Sequence, residues 1–258
     1  MHANNFTLQK YCERIDYENA LKADLQTLAG LMRHQLMAVP FENLDVQARK
    51  VVSLVPEEIV NKILFHNRGG YCYEINGLFA MALEALGIQY HFIAARPMFY
   101  PVRRPKTHMA IIAKVDGKEW LCDLGFGSFG IRAPVDITHC NEPINQDCET
   151  FMLEKSSSGE YLLKAMIEGD WGNQYAFDIH PWEWIDFVPA NYLNSTHPDS
   201  IFVQKRLVII QNRLGRSILL GNTLKTIHDG VTTKVEIEDK QIEGILESSF
   251  GIYMKQGI

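Results

Sequence analysis

The chain has 258 residues, 47% apolar and 22% charged. This composition excludes a disordered or fibrous protein and leaves room for one large domain or two to three small ones. Lys and Arg number 25 against 31 Asp and Glu, a net charge of −6, so a broad electrostatic grip on nucleic acid is not expected. The longest run without Asp, Glu, Lys or Arg is Phe187–Pro198. That falls short of the roughly 18 apolar residues of a bilayer span, so no membrane contact is expected. The opening segment MHANNFTLQKYCERI has no apolar stretch of the signal-peptide kind. An odd set of 5 cysteines without a C-x-x-C motif points to free thiols and a cytoplasmic setting. The 9 histidines are scattered. His139-Cys140…Cys148 is the nearest approach to a ligand cluster, and no metal site is expected.

In chain order, the first part reads as helical. Leu21, Leu25, Leu28 and Met32 form an apolar stripe within Glu18–Met32. Pro56-Glu57-Glu58 ahead of Ile59, Ile63 and Leu64 has the acids of a helix first turn. A third helix begins near Cys72, carries Ile75, Phe79, Ala82, Leu83 and Leu86, and stops at Gly87. The period then changes. Tyr90–Ala95, Met109–Val115 and Lys118–Leu124 are rich in β-branched and aromatic residues, and Asp116-Gly117 marks a hairpin between the last two. Phe151–Glu154 and Tyr161–Met166 form another strand pair around Ser156–Gly159. Strands are expected again at Phe202–Ile210, Ser217–Leu220 and Val231–Ile237, with a closing helix at Lys240–Ser249. The fold class is α+β.

Arg68-Gly69-Gly70-Tyr71-Cys72 is the segment most suited to chemistry. Two glycines allow a sharp turn, and Cys72 falls in the first turn of a helix. There the free N–H groups and the positive end of the helix dipole favour a thiolate and could hold an oxyanion. On the residues alone, a small buried thiol after a tight turn fits as well. A nucleophilic thiol needs a base, and the base an orienting group. Carried outward from Asp116-Gly117, the hairpin register pairs Ala110 with Asp123 and His108 with Gly125. His108 and Asp123 are then diagonal neighbours on one face, whereas a slip of one residue would separate them. Cys122 points to the other face, into the core.

Several motifs occur in order along the chain: VPFENLD (Val39–Asp45), RGGYCYEINGLF (Arg68–Phe79), Thr107-His108, DLGFG (Asp123–Gly127) and Asn191…Ser195…Pro198…Ser200…Phe202. Together they resemble the arylamine N-acetyltransferase family. Leu124, where Val is common, and Tyr71, at a variable aromatic position, are small departures. The resemblance implies a helical bundle over residues 1–86, a β-barrel over 87–190 and an α/β lid over 191–258, around a cysteine-protease or transglutaminase-like catalytic core. It implies a triad of Cys72, His108 and Asp123, with acetyl-CoA as donor and an arylamine or hydrazine as acceptor. Backbone N–H groups of Cys72 and near Arg104 would bind the oxyanion.

Other segments carry weaker signals. Gly125–Gly130 matches G-x-G-x-x-G but precedes no convincing helix, so a dinucleotide site is rejected. Gly125 and Gly127 instead suit close passage of backbone beside a bound thioester. Arg96, Arg103, Arg104 and Lys106 form a basic run fit for CoA phosphates, or a solvated loop punctuated by proline. Phe41, Phe126 and Phe202 are candidate pocket walls, or core. Glu42 and Arg68 are an expected ion pair beneath the glycine turn. Trp171, Trp182 and Trp184 suggest a packed barrel corner. Alternatives compatible with the Cys, His, Asp order are a transglutaminase-like or cysteine hydrolase and an amide synthase with a larger acyl donor; a non-catalytic module that merely keeps the fold is a fourth possibility.

Overall fold

The structure is a computed structural model that describes residues 1–127 and 129–253. Ser128, inside the predicted glycine segment, and residues 254–258, inside the predicted third part, lie outside the described residues.

Helix α1 (Leu8–Ile15) starts at Thr7, whose side chain accepts from the Lys10 N–H. Helix α2 (Leu25–Ala38) starts at Asp24, which accepts from the Thr27 N–H. These caps satisfy donors that the first helical turn cannot. Periodicity marked the buried face of α2 but not its start. The Asp24 cap begins the helix later than Glu18 and leaves Leu21 exposed outside it. Strand β1 (Phe41–Glu42) and α3 (Leu44–Gln47) follow, then α4 (Pro56–Val60), which has its proline in the first turn and runs on through a π turn at Asn61–Phe65. Helix α5 (Cys72–Ala85) is buried from Cys72 through Leu83. It packs on β2 (Gln89–Pro97) and β3 (His108–Val115), and Gly87 beyond its end takes φ 70°, the left-handed stop that glycine favours.

An antiparallel sheet continues through β4 (Lys118–Cys122), β5 (Val135–Asp136), β6 (Ile144–Gln146), β7 (Glu149–Lys155), β8 (Tyr161–Ile167) and β9 (Asp170–Phe177). Its order is β5-β4-β3-β2-β9-β8-β7-β6. This is a curled, barrel-like layer with β5 and β6 as its edges. Asp116 and Gly117 both take positive φ, 53° and 74°, as a two-residue hairpin turn requires. The register from Val115↔Lys118 to Ile111↔Cys122 is the expected one.

A 3-10 turn (Trp184–Phe187) leads into α6 (Val188–Thr196) and α7 (Ile201–Gln204). Strands β10 (Leu207–Asn212), β11 (Gly215–Leu220), β12 (Thr223–His228) and β13 (Val231–Glu236) and helix α8 (Ile242–Phe250) complete the fold. The strand expected from Phe202 starts only at Leu207. Ser200 accepts from the Phe202 N–H and turns residues 201–204 into a helix. Strand β1 joins this second sheet, in the order β1-β10-β11-β12-β13, through Phe41↔Ile209 and Glu42↔Val208. Among the described residues no helix is long and apolar enough to cross a membrane. None of them form a group of three or more His, Cys, Asp or Glu able to hold a metal ion.

Candidate active site

Cys72 is the first residue of α5. The two glycines before it make no sharp turn: Gly70 bridges Phe41 and Tyr71 is extended, and the segment is fixed by close approach from both sides. A Cβ on Gly69 would lie 1.8 Å from the Pro40 carbonyl oxygen, and one on Gly70 would lie 2.6 Å from Glu74. Only glycine fits either position. The Glu74 carboxylate accepts the Tyr71 N–H at 3.0 Å and closes the helix start. Beneath it, Arg68 pairs with Glu42 at 2.8 Å, the expected ion pair, and reaches Asp45 at 3.3 Å. Lys62 lies 2.7 Å from Glu74 and 2.6 Å from Asp45. Burial raises the Glu74 carboxyl to about 7, although the Lys62 charge opposes it.

His108 opens β3 and Asp123 follows β4, so the hairpin carries both. His108 Nε2 lies 2.7 Å from Asp123 Oδ2, and both side chains are buried. Burial of His108 disfavours the imidazolium, but the charge and hydrogen bond of Asp123, reinforced by Cys72, outweigh it and raise the ring well above the ordinary histidine range. Burial likewise works against ionised Asp123. The neighbouring imidazole and hydrogen bonds from Asn76 and the Gly125 N–H outweigh it and hold the carboxyl below its ordinary range.

Cys72, His108, Arg104, Gly125, Phe41, Phe126 and Phe202 line one cavity of about 280 Å³. Asp123 sits behind His108 with 1% exposure, as an orienting group would. Gly125 brings its loop against the nucleophile segment, since a Cβ there would lie 2.5 Å from Cys72 Cα. Gly127 does not line the cavity. It takes φ 93°, and its carbonyl accepts from Gln211 Nε2 at 2.9 Å. The basic run divides: Arg104 faces the cavity and stacks on Tyr100 at 4.8 Å, Lys106 pairs with Asp178, and Arg103 is exposed.

Three groups were missed by sequence reasoning. Asn76 Nδ2 donates to the Met109 carbonyl at 2.7 Å and to Asp123 Oδ1 at 3.1 Å, and its Oδ1 accepts the Leu124 N–H at 2.9 Å. It ties α5 to both arms of the hairpin. Its position one helical turn after Cys72, on the same face, was the available signal. Tyr175 packs its ring 5.1 Å from His108 and 4.8 Å from Phe126. Burial and the Asp123 charge hold its hydroxyl proton on. Lys62, in the π turn, gave no signal.

The later motif frames the cavity. Tyr71 OH hydrogen-bonds Asn191 and Ser195, Asn194 Nδ2 donates to the Thr107 carbonyl at 3.0 Å, and Ser200 Oγ donates to the Asn194 carbonyl at 2.7 Å. Asn43 Nδ2 donates to the Phe202 carbonyl at 2.7 Å, and the Phe41 and Phe202 rings meet at 5.9 Å.

A buried imidazole–carboxylate pair sharing an aromatic cavity with a thiol at a helix N-terminus is the arrangement of a thiol enzyme. A family model described as N-acetyltransferase matches residues 24–258. The arylamine N-acetyltransferase of Mycobacterium bovis is 31% identical, with 95% of this chain and 89% of that protein covered. The structure of the arylamine N-acetyltransferase from M. tuberculosis superposes with a TM-score of 0.91 at 30% identity, covering 95% of this chain and 94% of the other. That of the Mycobacterium marinum enzyme, described in complex with CoA, gives 0.90 at 29% identity, covering 95% and 93%. The chain belongs to the arylamine N-acetyltransferase family.

Proposed function

We propose that this chain transfers an acetyl group from acetyl-CoA to an arylamine or arylhydrazine through an acetyl-cysteine on Cys72. The observation that carries the reading is the 2.7 Å His108–Asp123 contact behind a cavity that Cys72 also lines. The CoA complex of the M. marinum enzyme supports the choice of donor.

In the first half-reaction His108 takes the Cys72 proton and the sulfur attacks the acetyl carbonyl carbon. The tetrahedral intermediate collapses, the bond to the CoA sulfur breaks, and the proton returns to the departing thiolate. One thioester replaces another, so the step is close to balanced. In the second, the amine nitrogen attacks the acetyl-cysteine carbonyl, His108 takes the amine proton, and the carbon–sulfur bond breaks to release amide and restore Cys72. General-base assistance of this kind contributes typically ~10²–10⁴-fold. Asp123 fixes the ring so that Nε2 is occupied, and Nδ1 is left to exchange the proton. Backbone N–H groups of Cys72 and of the segment near Arg104 are assigned the oxyanion. Arg104, Gly125 and Gly127 are assigned to the donor, with Gly127 acting through the loop backbone, and Phe41, Phe126 and Phe202 to the aromatic ring of the acceptor. The division at residues 86 and 190 and a cytoplasmic setting belong to the same reading.

One site that must release CoA before the amine enters requires ping-pong kinetics. Initial rates with acetyl-CoA and an arylamine both varied are expected to give parallel double-reciprocal lines. Intersecting lines would contradict the acetyl-enzyme route.

A further inference from the structure

We propose that the outer face of α6, with the segment 51–55 beside it, is the surface through which two copies of this chain pair about a two-fold axis.

Two strips of chain lie side by side there. The Val52 N–H donates to Ser195 Oγ at 3.3 Å, Asn191 Nδ2 donates to the Val52 carbonyl at 2.8 Å, and Trp184 Nε1 donates to the Leu54 carbonyl at 2.9 Å. Helix α6 buries Asn191, Asn194 and Ser195 and turns Val188 and Tyr192, one helical turn apart, to solvent. Ile185 extends this stripe into the preceding 3-10 turn, and Val51 and Val55 bracket the other strip. These five side chains are 44–67% exposed. Scattered exposed apolar residues are ordinary, but a contiguous group rimmed by charge marks a contact surface.

The charges at its two ends decide what covers it. The strips run antiparallel, with Val52 beside Ser195 and Leu54 beside Trp184. Arg49 and Lys50 therefore mark the end near Ser195, while Glu58, Glu183 and Asp186 mark the opposite end. All five are exposed, and among the described residues none of them forms an ion pair. Asp199, beyond the basic end, lines the catalytic cavity instead. A patch that is apolar in its middle, basic at one end and acidic at the other is complementary to its own inverted copy. A two-fold axis through its middle sets the basic end of each copy against the acidic end of the other and covers both apolar stripes. A uniformly charged partner would satisfy one end and be repelled by the other. About ten residues a side fall short of the 20–30 of a standard interface, so the pairing is reversible and concentration-dependent. Leu193 and Asn194 of the same helix line the catalytic cavity, so the second copy sits against the back of that wall.

Sedimentation equilibrium of the native chain across micromolar concentrations is expected to show a mass climbing from one chain toward two. Tyr192→Lys, at an exposed position outside the catalytic machinery, is expected to stay monomeric. Two charge-reversed chains test the two-fold arrangement. One carries Arg49→Glu and Lys50→Glu, the other Glu58→Lys and Glu183→Lys, and circular dichroism checks that each is folded. Each alone opposes like charges at both contacts, and its dissociation constant is expected to rise by about tenfold or more. An equimolar mixture of the two restores both contacts and is expected to dimerise as the native chain does. A native chain that stays monomeric throughout, or a dimer that Tyr192→Lys leaves intact, overturns the proposal. So does a mixture of folded reversed chains that pairs no better than either alone. A monomeric native chain that sediments with phosphatidylserine vesicles, where Tyr192→Lys does not, overturns it too and assigns the face to a lipid surface.

Discussion

His108 is pulled in two directions. Its burial favours the neutral ring, and the Asp123 carboxylate at 2.7 Å favours the cation. The carboxylate wins because it lies in the same low-dielectric interior and is itself held ionised by Asn76 and the Gly125 N–H. Replacing Asp123 by Asn keeps the shape but removes the charge and offers the ring a donor where it had an acceptor. The imidazole then falls back toward the value that burial alone would set, and its tautomer is reversed. Alkylation of Cys72 by iodoacetamide at pH 6 is expected to be fast in the native chain and slower by about tenfold or more in Asp123→Asn, with turnover reduced by at least ~10²-fold. The melting temperature should move little. Near-native alkylation and turnover in Asp123→Asn would show that the pair does not govern the thiol.

At the scale of elements, the start of α5 is held by a charge network as much as by packing. Glu42 and Glu74 are almost fully buried, and Lys62 and Arg68 stand between them and Asp45. Burial raises the Glu74 carboxyl to about 7 against the opposing Lys62. A carboxyl raised on folding binds a proton in the folded chain that the unfolded chain has already lost. Its contribution to stability is therefore present below the ordinary glutamate value near 4.5 and is lost as pH rises toward 7. Stability measured by urea unfolding should decline more steeply between pH 5 and 7 in the native chain than in Glu74→Gln, which has no proton to lose. Equal slopes would contradict the buried, titrating Glu74.

What the sequence made legible follows the same division between local and distant. The Asp116-Gly117 turn fixes its register through neighbouring residues, so the shared face of His108 and Asp123 could be read before any coordinates. The two glycines before Cys72 marked the segment, but they serve close approach to Pro40 and Glu74 and not the expected sharp turn, and the contact with Pro40, distant in the chain, was not readable. Tyr175 was not readable. It reaches the imidazole only because β9 pairs with β2 through Pro97↔Tyr175, across a long stretch of chain. Phe202 was expected to open a strand because its neighbours are β-branched, but the Ser200 cap and the Asn43 bond to its carbonyl decide otherwise. Asn76 lay in plain view among apolar helix residues, and only its three bonds across the helix–hairpin seam reveal what it does.

For the whole molecule, the site exists where separate parts of the fold meet. Helix α5 brings the thiol, the β3–β4 hairpin brings the imidazole and carboxylate, and β1, lent by the helical part to the second sheet, brings Phe41 against Phe202. The central claim is that this meeting point carries an acetyl group on one sulfur among 5 cysteines. Peptide-level mass spectrometry after brief exposure to acetyl-CoA, with and without a following arylamine, addresses it most directly. The expected result is a single acetyl group on the peptide containing Cys72, removed by the amine with formation of its N-acetyl product. Acetyl groups spread over the other cysteines, or an acetyl group on Cys72 that no amine discharges, would contradict the account.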